Sequence, residues 1–468
     1  MFTKTKSIIQ KPIFKSLISL SIPIILANLF QVMYQMTDSF WLGRLGSAAL
    51  ASVSICSPVI FLTVALGIGF AIAGSTLVAQ YFGAKDHHMV SHSAAQTLLM
   101  ITFTSLIFST LGFIFAPKIL YFMGANSEIF PSALGFLRVS FLAIIFNFSF
   151  FMFQSIMRGI GRPQIPVIIV IGTVLLNFFL DPLFIFGWKS VPAFGVLGAV
   201  MATIITQGIA AIIGLSILLG GKYGIHLKIK DFIPDFKFIK KSFLIGLPAS
   251  IEQSSRNLAM AFMISLVAGF GTTAVASYGA GSNIIQVAIF IGMGLAVANG
   301  TLVGQNIGAN QIEEAIKVSK LSAVISFVIL SFLGIVVFIF SNNLVSFFIP
   351  NDTSVIQSGS IFIKIVALSF GFIGLHMSFS NVFSAAGLTR IPMFLTVSSQ
   401  WLFQIPLSFI LSKYTAIGLY GVWISIPFTN VFVSSIAFIL YSRGSWKNSD
   451  IIDRNKYQNL ASEKVLSK

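Results

Sequence analysis

Long apolar stretches, broken by short polar or Gly/Pro-containing segments, recur from one end of the chain to the other. Twelve can be marked, at 16–41, 48–78, 92–116, 132–157, 163–187, 196–220, 242–268, 273–303, 321–342, 355–384, 391–411 and 418–441. A hydrocarbon core about 30 Å thick needs about 20 helical residues per crossing. Every stretch reaches that length, whereas barrel strands would be about 10 residues of strict alternation. The pattern predicts an all-α integral membrane protein with twelve transmembrane helices.

The stretches also repeat. LGSAALASVS at 45–54 lies over FGTTAVASYG at 270–279, and GIGFAIAGSTLVAQYFGA at 67–84 over GMGLAVANGTLVGQNIGA at 292–309, both without gaps at an offset of 225. Pro23 falls on Pro248 at that offset, Arg138 on Lys364 and Pro166 on Pro392 at 226, and GVLGAV at 195–200 answers GLYGVW at 418–423. Each half holds six spans, an even number, so both enter the membrane from the same side. The expected organisation is two six-helix lobes related by a parallel pseudo-two-fold repeat, with a cleft between them. Residues 1–220 then form an N-lobe, 221–241 a linker, 242–441 a C-lobe and 442–468 a tail. Small residues every fourth position, Ala65, Gly69 and Ala73 and again Gly292, Ala296 and Gly300, read as close helix packing.

Composition agrees. Of 468 residues, 56% are hydrophobic and 9% charged, against about 25% charged in soluble proteins. The mean hydropathy of +0.94 excludes a soluble enzyme, a disordered chain and a coiled coil. A net charge of +16 would fit nucleic-acid binding only as a patch on a folded face. With the N-terminus inside, 22 Lys and Arg fall on cytoplasmic segments and four opposite, namely Arg44, Lys118, Lys189 and Lys413. That asymmetry predicts a multi-pass protein of the inner or plasma membrane with both termini cytoplasmic; no nucleic-acid partner is expected. The single Cys56 excludes an intrachain disulfide. The basic, then apolar N-terminus has no small-x-small cleavage pattern and reads as an uncleaved first span.

Three of the thirteen acids fall within spans: Asp38, Asp181 and Glu252. A charge at mid-bilayer costs about 2.5–3.5 kcal/mol on insertion scales, and such residues mark ion and substrate pathways. Tyr34 lies one turn before Asp38, and Asn177 one turn before Asp181, each on its partner's helix face. Pro182 has no N–H and disfavours helix at Asp181, which predicts an opened turn with freed carbonyls. Both acids fall late in spans of the same direction, in the outward half of the N-lobe. Two carboxylates, an amide oxygen and freed carbonyls form an oxygen-rich site. It could hold a hard monovalent cation or keep one acid protonated, and both alternatives stay open.

Other polar residues carry less. Glu252 has Arg256 four residues on, which fits an internal ion pair or a substrate contact equally. Arg138 and Lys364, near the outer span ends, read as snorkelling side chains. His376 reads as a satisfied polar contact between helices, and Asp86, His87, His88 and His92 as a solvated loop. There is no G-x-x-x-x-G-K-[ST] motif, so uphill transport would draw on an ion gradient. GFGTTA at 269–274 matches a dinucleotide fingerprint by letter alone. No catalytic cluster is visible, and no enzymatic activity or cofactor beyond a coupling ion is expected. The 49 Phe residues suit a wide apolar cleft, where aromatic and Met side chains hold lipophilic cations.

Together the LSIPIILANLFQVMYQMTDSFWLGRLG first span, the GSTLVAQYFGA and GTLVGQNIGA ends, the MRGIGRPQIP turn and the LLNFFLDPLFIFG fifth span resemble the multidrug and toxic compound extrusion (MATE) family over residues 10–445. The resemblance implies a V-shaped, monomeric bundle of twelve helices that exchanges H⁺ or Na⁺ for lipophilic organic cations and other amphipathic small molecules. It is similar to the DinF-like prokaryotic members. That implies a coupling ion at Asp38, Asn177 and Asp181, with Thr203 joining a Na⁺ site, Tyr34 supporting it and Pro23 letting the first span bend. Members with a C-lobe site place acids in spans seven and ten. Glu252 answers the first, but span ten has no acid, which favours the N-lobe site. The alternative is a lipid-linked saccharide flippase of the same superfamily, which would line its cleft with basic residues.

Overall fold

In a computed structural model, which describes residues 12–189, 191–350, 352–449 and 451–452, the apolar stretches are helices. Lys4, Lys6, Lys11 and the tail after residue 452 lie outside the described residues. The first half contains α1 (Ile13–Leu45), α2 (Ser47–Gly83), α3 (His87–Phe122), α4 (Phe130–Gly159), α5 (Gln164–Phe186) and α6 (Val196–Leu219). The second contains α7 (Phe236–Ala268), α8 (Thr272–Gly308), α9 (Ile312–Ile339), α10 (Ser341–Phe348), α11 (Thr353–Ala367), α12 (Phe370–Ala385), α13 (Arg390–Val397), α14 (Ile405–Lys413) and α15 (Leu419–Ser442). Among the described residues, the only extended pairing is one bridge between Trp188 and Val191.

Among the described residues, ten helical runs are long and apolar enough to cross a membrane, and α11 with α12 makes an eleventh through a 49° bend. The remaining span is α7. Lys237, Lys240, Lys241, Glu252 and Arg256 lower its apolarity, yet it is 33 residues long and takes the place of α1 in the repeat. The helices outrun the apolar stretches wherever polar residues cap them. Asp86 accepts from the Met89 N–H at 2.9 Å and starts α3, so His87, His88 and His92 occupy helical turns and not a solvated loop. Glu313 and Glu314 sit in the first turn of α9, where the helix dipole favours negative charge.

The repeat is written into the backbone. Gly46 and Gly271 cap α2 and α8 with positive φ, and Lys85 (φ 58°) is matched by Asn310 (φ 57°). Gly195 before α6 and Gly418 before α15 share φ 56° with ψ near −130°, a conformation open essentially to glycine alone. The halves differ where local chemistry differs. α4 is continuous, but its counterpart breaks between α11 and α12. There the Ser369 hydroxyl donates to the Val366 carbonyl at 2.8 Å and accepts from Asn430 at 3.0 Å. Side-chain bonding of this kind competes with the helical ladder. A seven-residue π-helical turn, Ser398–Gln404, similarly joins α13 to α14.

By contacts the chain forms two units. One is Leu26–Ser250; the other joins the residues up to Ile25 with those from Ile251 onward. The chain therefore changes unit inside α1 and inside α7, shortly after Pro23 and Pro248, at positions 225 apart. The linker segment 221–241 belongs to the first unit. In the second unit Leu17, Leu20 and Ile24 of α1 are buried with Leu295, Phe379 and Trp446, while Phe362 and Trp423 centre another cluster with ring centroids 4.4 Å apart. Arg138 lies over the Phe113 ring at 5.0 Å and Lys364 over Phe338 at 5.9 Å, so this repeated pair of cations rests on aromatic faces.

Candidate functional site

Asn177 and Asp181 are positioned by how α5 turns into α6. Trp188 and Val191 pair through two backbone hydrogen bonds, and the Phe194 and Gly195 N–H groups return to the Phe184 and Ile185 carbonyls at 3.0 and 3.1 Å. Gly198 sits directly on the Phe184 backbone, where a Cβ would collide. The two helices are thereby held in fixed register, with Asn177 and Asp181 on one and Thr203 and Thr206 on the other. Pro182 does not open the turn as its sequence predicts: α5 runs unbroken from Gln164 to Phe186. Packing against α6 keeps it helical, and proline withdraws only its own N–H from the ladder.

Asn177 and Asp181 are fully buried, and the Asn177 Nδ2 donates to Asp181 Oδ1 at 2.9 Å. Asp38 of α1 lies within electrostatic reach of both. Three buried oxygens there, Asp38 Oδ1, Asn177 Oδ1 and Asp181 Oδ2, have no hydrogen-bond partner among the described residues. Tyr34, buried one turn below Asp38, shares a 2.7 Å hydrogen bond with Thr206 Oγ1. The Thr206 hydroxyl is 3.0 Å from the Ala202 and Thr203 carbonyls, so it donates into its own helix and Tyr34 donates to it. Thr206 escaped the sequence reading, although its place one turn after Thr203 was a usable signal.

Asp38 and Thr203 also face a cavity of about 320 Å³ within this unit. Its lining comes from α1, α2, α4 and α6 and combines Phe61, Phe136, Phe141 and Phe148 with Ser, Thr, Gln and Asn side chains. Asp38 is the one charged residue in that lining. Besides Gly279, Ser282 and Asn283, the second unit's cavity of about 280 Å³ is lined by Met260, Ile264, Val267, Val275 and Tyr278. At an offset of 225 these fall on Gln35, Ser39, Leu42, Leu50 and Val53 of the first cavity. The position of Asp38 is taken by Met263.

Pro23 and Glu252 are not part of the carboxylate cluster. Pro23 lies in the stretch of α1 that belongs to the second unit. Glu252, also in that unit, accepts from Arg256 Nη2 at 3.1 Å and from Thr396 Oγ1 at 3.3 Å. His376 is not the satisfied contact expected of it, since its Nδ1 is buried without a partner among the described residues. No cluster of three or more His, Cys, Asp or Glu able to hold a metal ion occurs among the described residues. The carboxylate cluster instead offers two acids, an amide oxygen and hydroxyls, a donor set that suits a proton or a hard monovalent cation.

A bundle of membrane-spanning helices in two repeated units, with an uncompensated carboxylate pair beside a cavity, defines a multi-pass membrane protein of the transporter class. Comparison with known proteins gives the family. The MatE model matches residues 23–183 and 248–410, two segments that start 225 residues apart, and the chain belongs to that family. It is similar to the probable multidrug resistance protein YoeA of Bacillus subtilis, with 27% identity over 96% of this chain and 97% of that protein. To the multidrug export protein MepA of Staphylococcus aureus the identity is 26% over 88% and 90%. The fold matches an outward-facing structure of a multidrug resistance MATE family transporter of the MOP superfamily. The TM-score is 0.88 at 24% identity, covering 96% of this chain and all of that one.

Proposed function

We propose that the chain is a secondary active antiporter that exports lipophilic organic cations in exchange for H⁺ or Na⁺ by alternating access. The observation that carries this reading is the set of three buried, unpartnered oxygens on Asp38, Asn177 and Asp181. Two carboxylates packed together in a medium of low dielectric repel, and one positive charge between them relieves that repulsion. Asp38 belongs both to this pair and to the cavity lining. A cationic substrate in the cavity and a coupling ion at the pair therefore compete for one carboxylate, which is the elementary requirement for exchange. The aromatic lining supplies dispersion and cation–π contacts to the substrate.

The names of the relatives support export of drugs, and the charge asymmetry of the loops supports cytoplasmic termini in the plasma membrane. A lipid-linked saccharide flippase is disfavoured, because its diphosphate would need basic groups and the cavity lining has none. The test is efflux of a fluorescent organic cation from proteoliposomes under separately imposed Na⁺ and pH gradients. One of the two gradients should drive it; efflux that responds to neither overturns the reading.

A further inference from the structure

The segment joining α6 to α7 carries six lysines and two aspartates between positions 222 and 241. It is pinned to α3. The Gln96 Nε2 donates to the Asp231 and Ile233 carbonyls, both at 2.7 Å, and its Oε1 accepts from the Asp235 N–H at 3.0 Å. The His226 N–H donates to Ser91 Oγ at 3.0 Å. Both acids are used locally. Asp231 accepts from the Lys228 N–H at 2.9 Å, and Asp235 accepts from the Lys237 and Phe238 N–H groups at 3.1 Å while facing His92. The Phe238 N–H and then His92 hold the Asp235 carboxyl below the usual range, so it stays ionised.

The side chains divide into two sets. Ile225, Leu227 and Phe238 turn inward and are buried. Ile229, Ile233 and Phe236 turn outward and are 92%, 67% and 79% exposed, among exposed Lys228, Lys230, Lys237 and Lys240. Among the described residues, none of Lys230, Lys237 and Lys240 forms an ion pair. Folding alone explains neither outward set. Large apolar groups gain nothing from being held in water, and lysines in the first turns of α7 oppose the helix dipole. The segment joins two spanning helices, so it runs along the membrane boundary.

We propose that residues 228–240 form an interfacial anchor that binds anionic phospholipid headgroups. Ile229, Ile233 and Phe236 enter the boundary between headgroups and acyl chains, and Lys230, Lys237 and Lys240 pair with phosphates. This arrangement satisfies the outward apolar set and the uncompensated lysines together. It also sets the depth of α7 just before that helix passes from one unit to the other.

The test uses the full chain in lipid nanodiscs. The single cysteine is buried, so Cys56→Ser with Ile233→Cys allows one environment-sensitive fluorophore at the anchor. In discs containing phosphatidylglycerol the label should emit blue-shifted and resist an aqueous quencher. Each Lys→Gln change at 230, 237 or 240 should raise the ratio of emerged to immersed label by about fivefold, so the triple variant should read as aqueous. A label that is aqueous in anionic discs overturns the proposal. Immersion that is equal in pure phosphatidylcholine, or unchanged in the triple variant, overturns headgroup binding. Transport is not the readout, so the result stands apart from the antiport reading.

Discussion

Each unit contains a cavity, and the two share repeated positions but differ in what stands there. In Leu26–Ser250 the walls include Gln35, Asp38 and Ser39; in the other unit the repeated positions are Met260, Met263 and Ile264. Backbone geometry has been kept, down to matching positive-φ residues, while this row of polar side chains is apolar in the other copy, whose polar lining is Tyr278, Ser282 and Asn283. The embedded charges divide in the same way. Asp38 and Asp181 have no basic partner among the described residues, whereas Glu252 is answered by Arg256 and Thr396. A carboxylate neutralised by a tethered guanidinium has no need of a diffusible ion. One without such a partner does, and the proposed antiport therefore draws on the first unit.

The most direct way to break the contrast is to remove the exchangeable charge. Asp38→Asn or Asp181→Asn should reduce gradient-driven efflux in proteoliposomes to the level of empty vesicles. Thermal stability in detergent should be kept, because each change removes an uncompensated buried carboxyl. Efflux at the wild-type rate in both variants would sink the assignment. The converse change puts an acid at the matching position of the other copy. Met263 is 2% exposed, and its sulfur accepts from Ser408 at 3.7 Å. Met263→Asp should destabilise the protein by about 2.5–3.5 kcal/mol, the cost of a membrane-embedded charge without partners, and should add no ion coupling. Denaturation and the efflux assay together check this.

A smaller effect is expected at the tethered pair. Arg256→Met leaves Glu252 without its guanidinium and should cost about 1–2 kcal/mol. That is below the 3–5 kcal/mol of a fully buried pair, because the Arg256 side chain is 35% exposed. The double variant Glu252→Gln, Arg256→Met should recover most of the loss. Recovery would show the pair to be self-neutralising; a double variant as unstable as the single would mean that Glu252 has another essential partner.

Much of this architecture is legible in the chain because lipid imposes a coarse rule: long apolar runs become helices, and charges among them stand out. Asp38, Asp181 and Glu252 are found that way, and gapless matches such as Pro23 with Pro248 expose the repeat. What is not legible depends on partners distant in sequence. The bend between α11 and α12 needs Asn430, 61 residues from Ser369. The persistence of helix through Pro182 depends on α6 packed beside it, which overrides a local preference. The early start of α3 follows from one cap at Asp86, where hydropathy is silent. Thr206 offers the sequence only its place one turn after Thr203, and its role depends on a partner 172 residues away.

That partner gives the smallest and sharpest test. Tyr34 and Thr206 connect α1 to α6 beside the carboxylates, and Val53 with Tyr278 shows that the repeat does not preserve its aromatic hydroxyls in register. Tyr34→Phe keeps the ring and its packing but removes the donor. Thr206 then still donates to its own helix, so only an acceptor lone pair is left without a partner. The loss should be about 1 kcal/mol, the net worth of one hydrogen bond. Thr206→Val should cost a similar amount, and the double variant no more than either alone, since both remove the same bond. If Tyr34 only braces α1 against α6, the ion dependence of efflux should be unchanged in Tyr34→Phe while the stability falls. A change in apparent ion affinity without loss of stability would instead place the phenol within the carboxylate site, adding a hydroxyl to the groups that set the first unit apart.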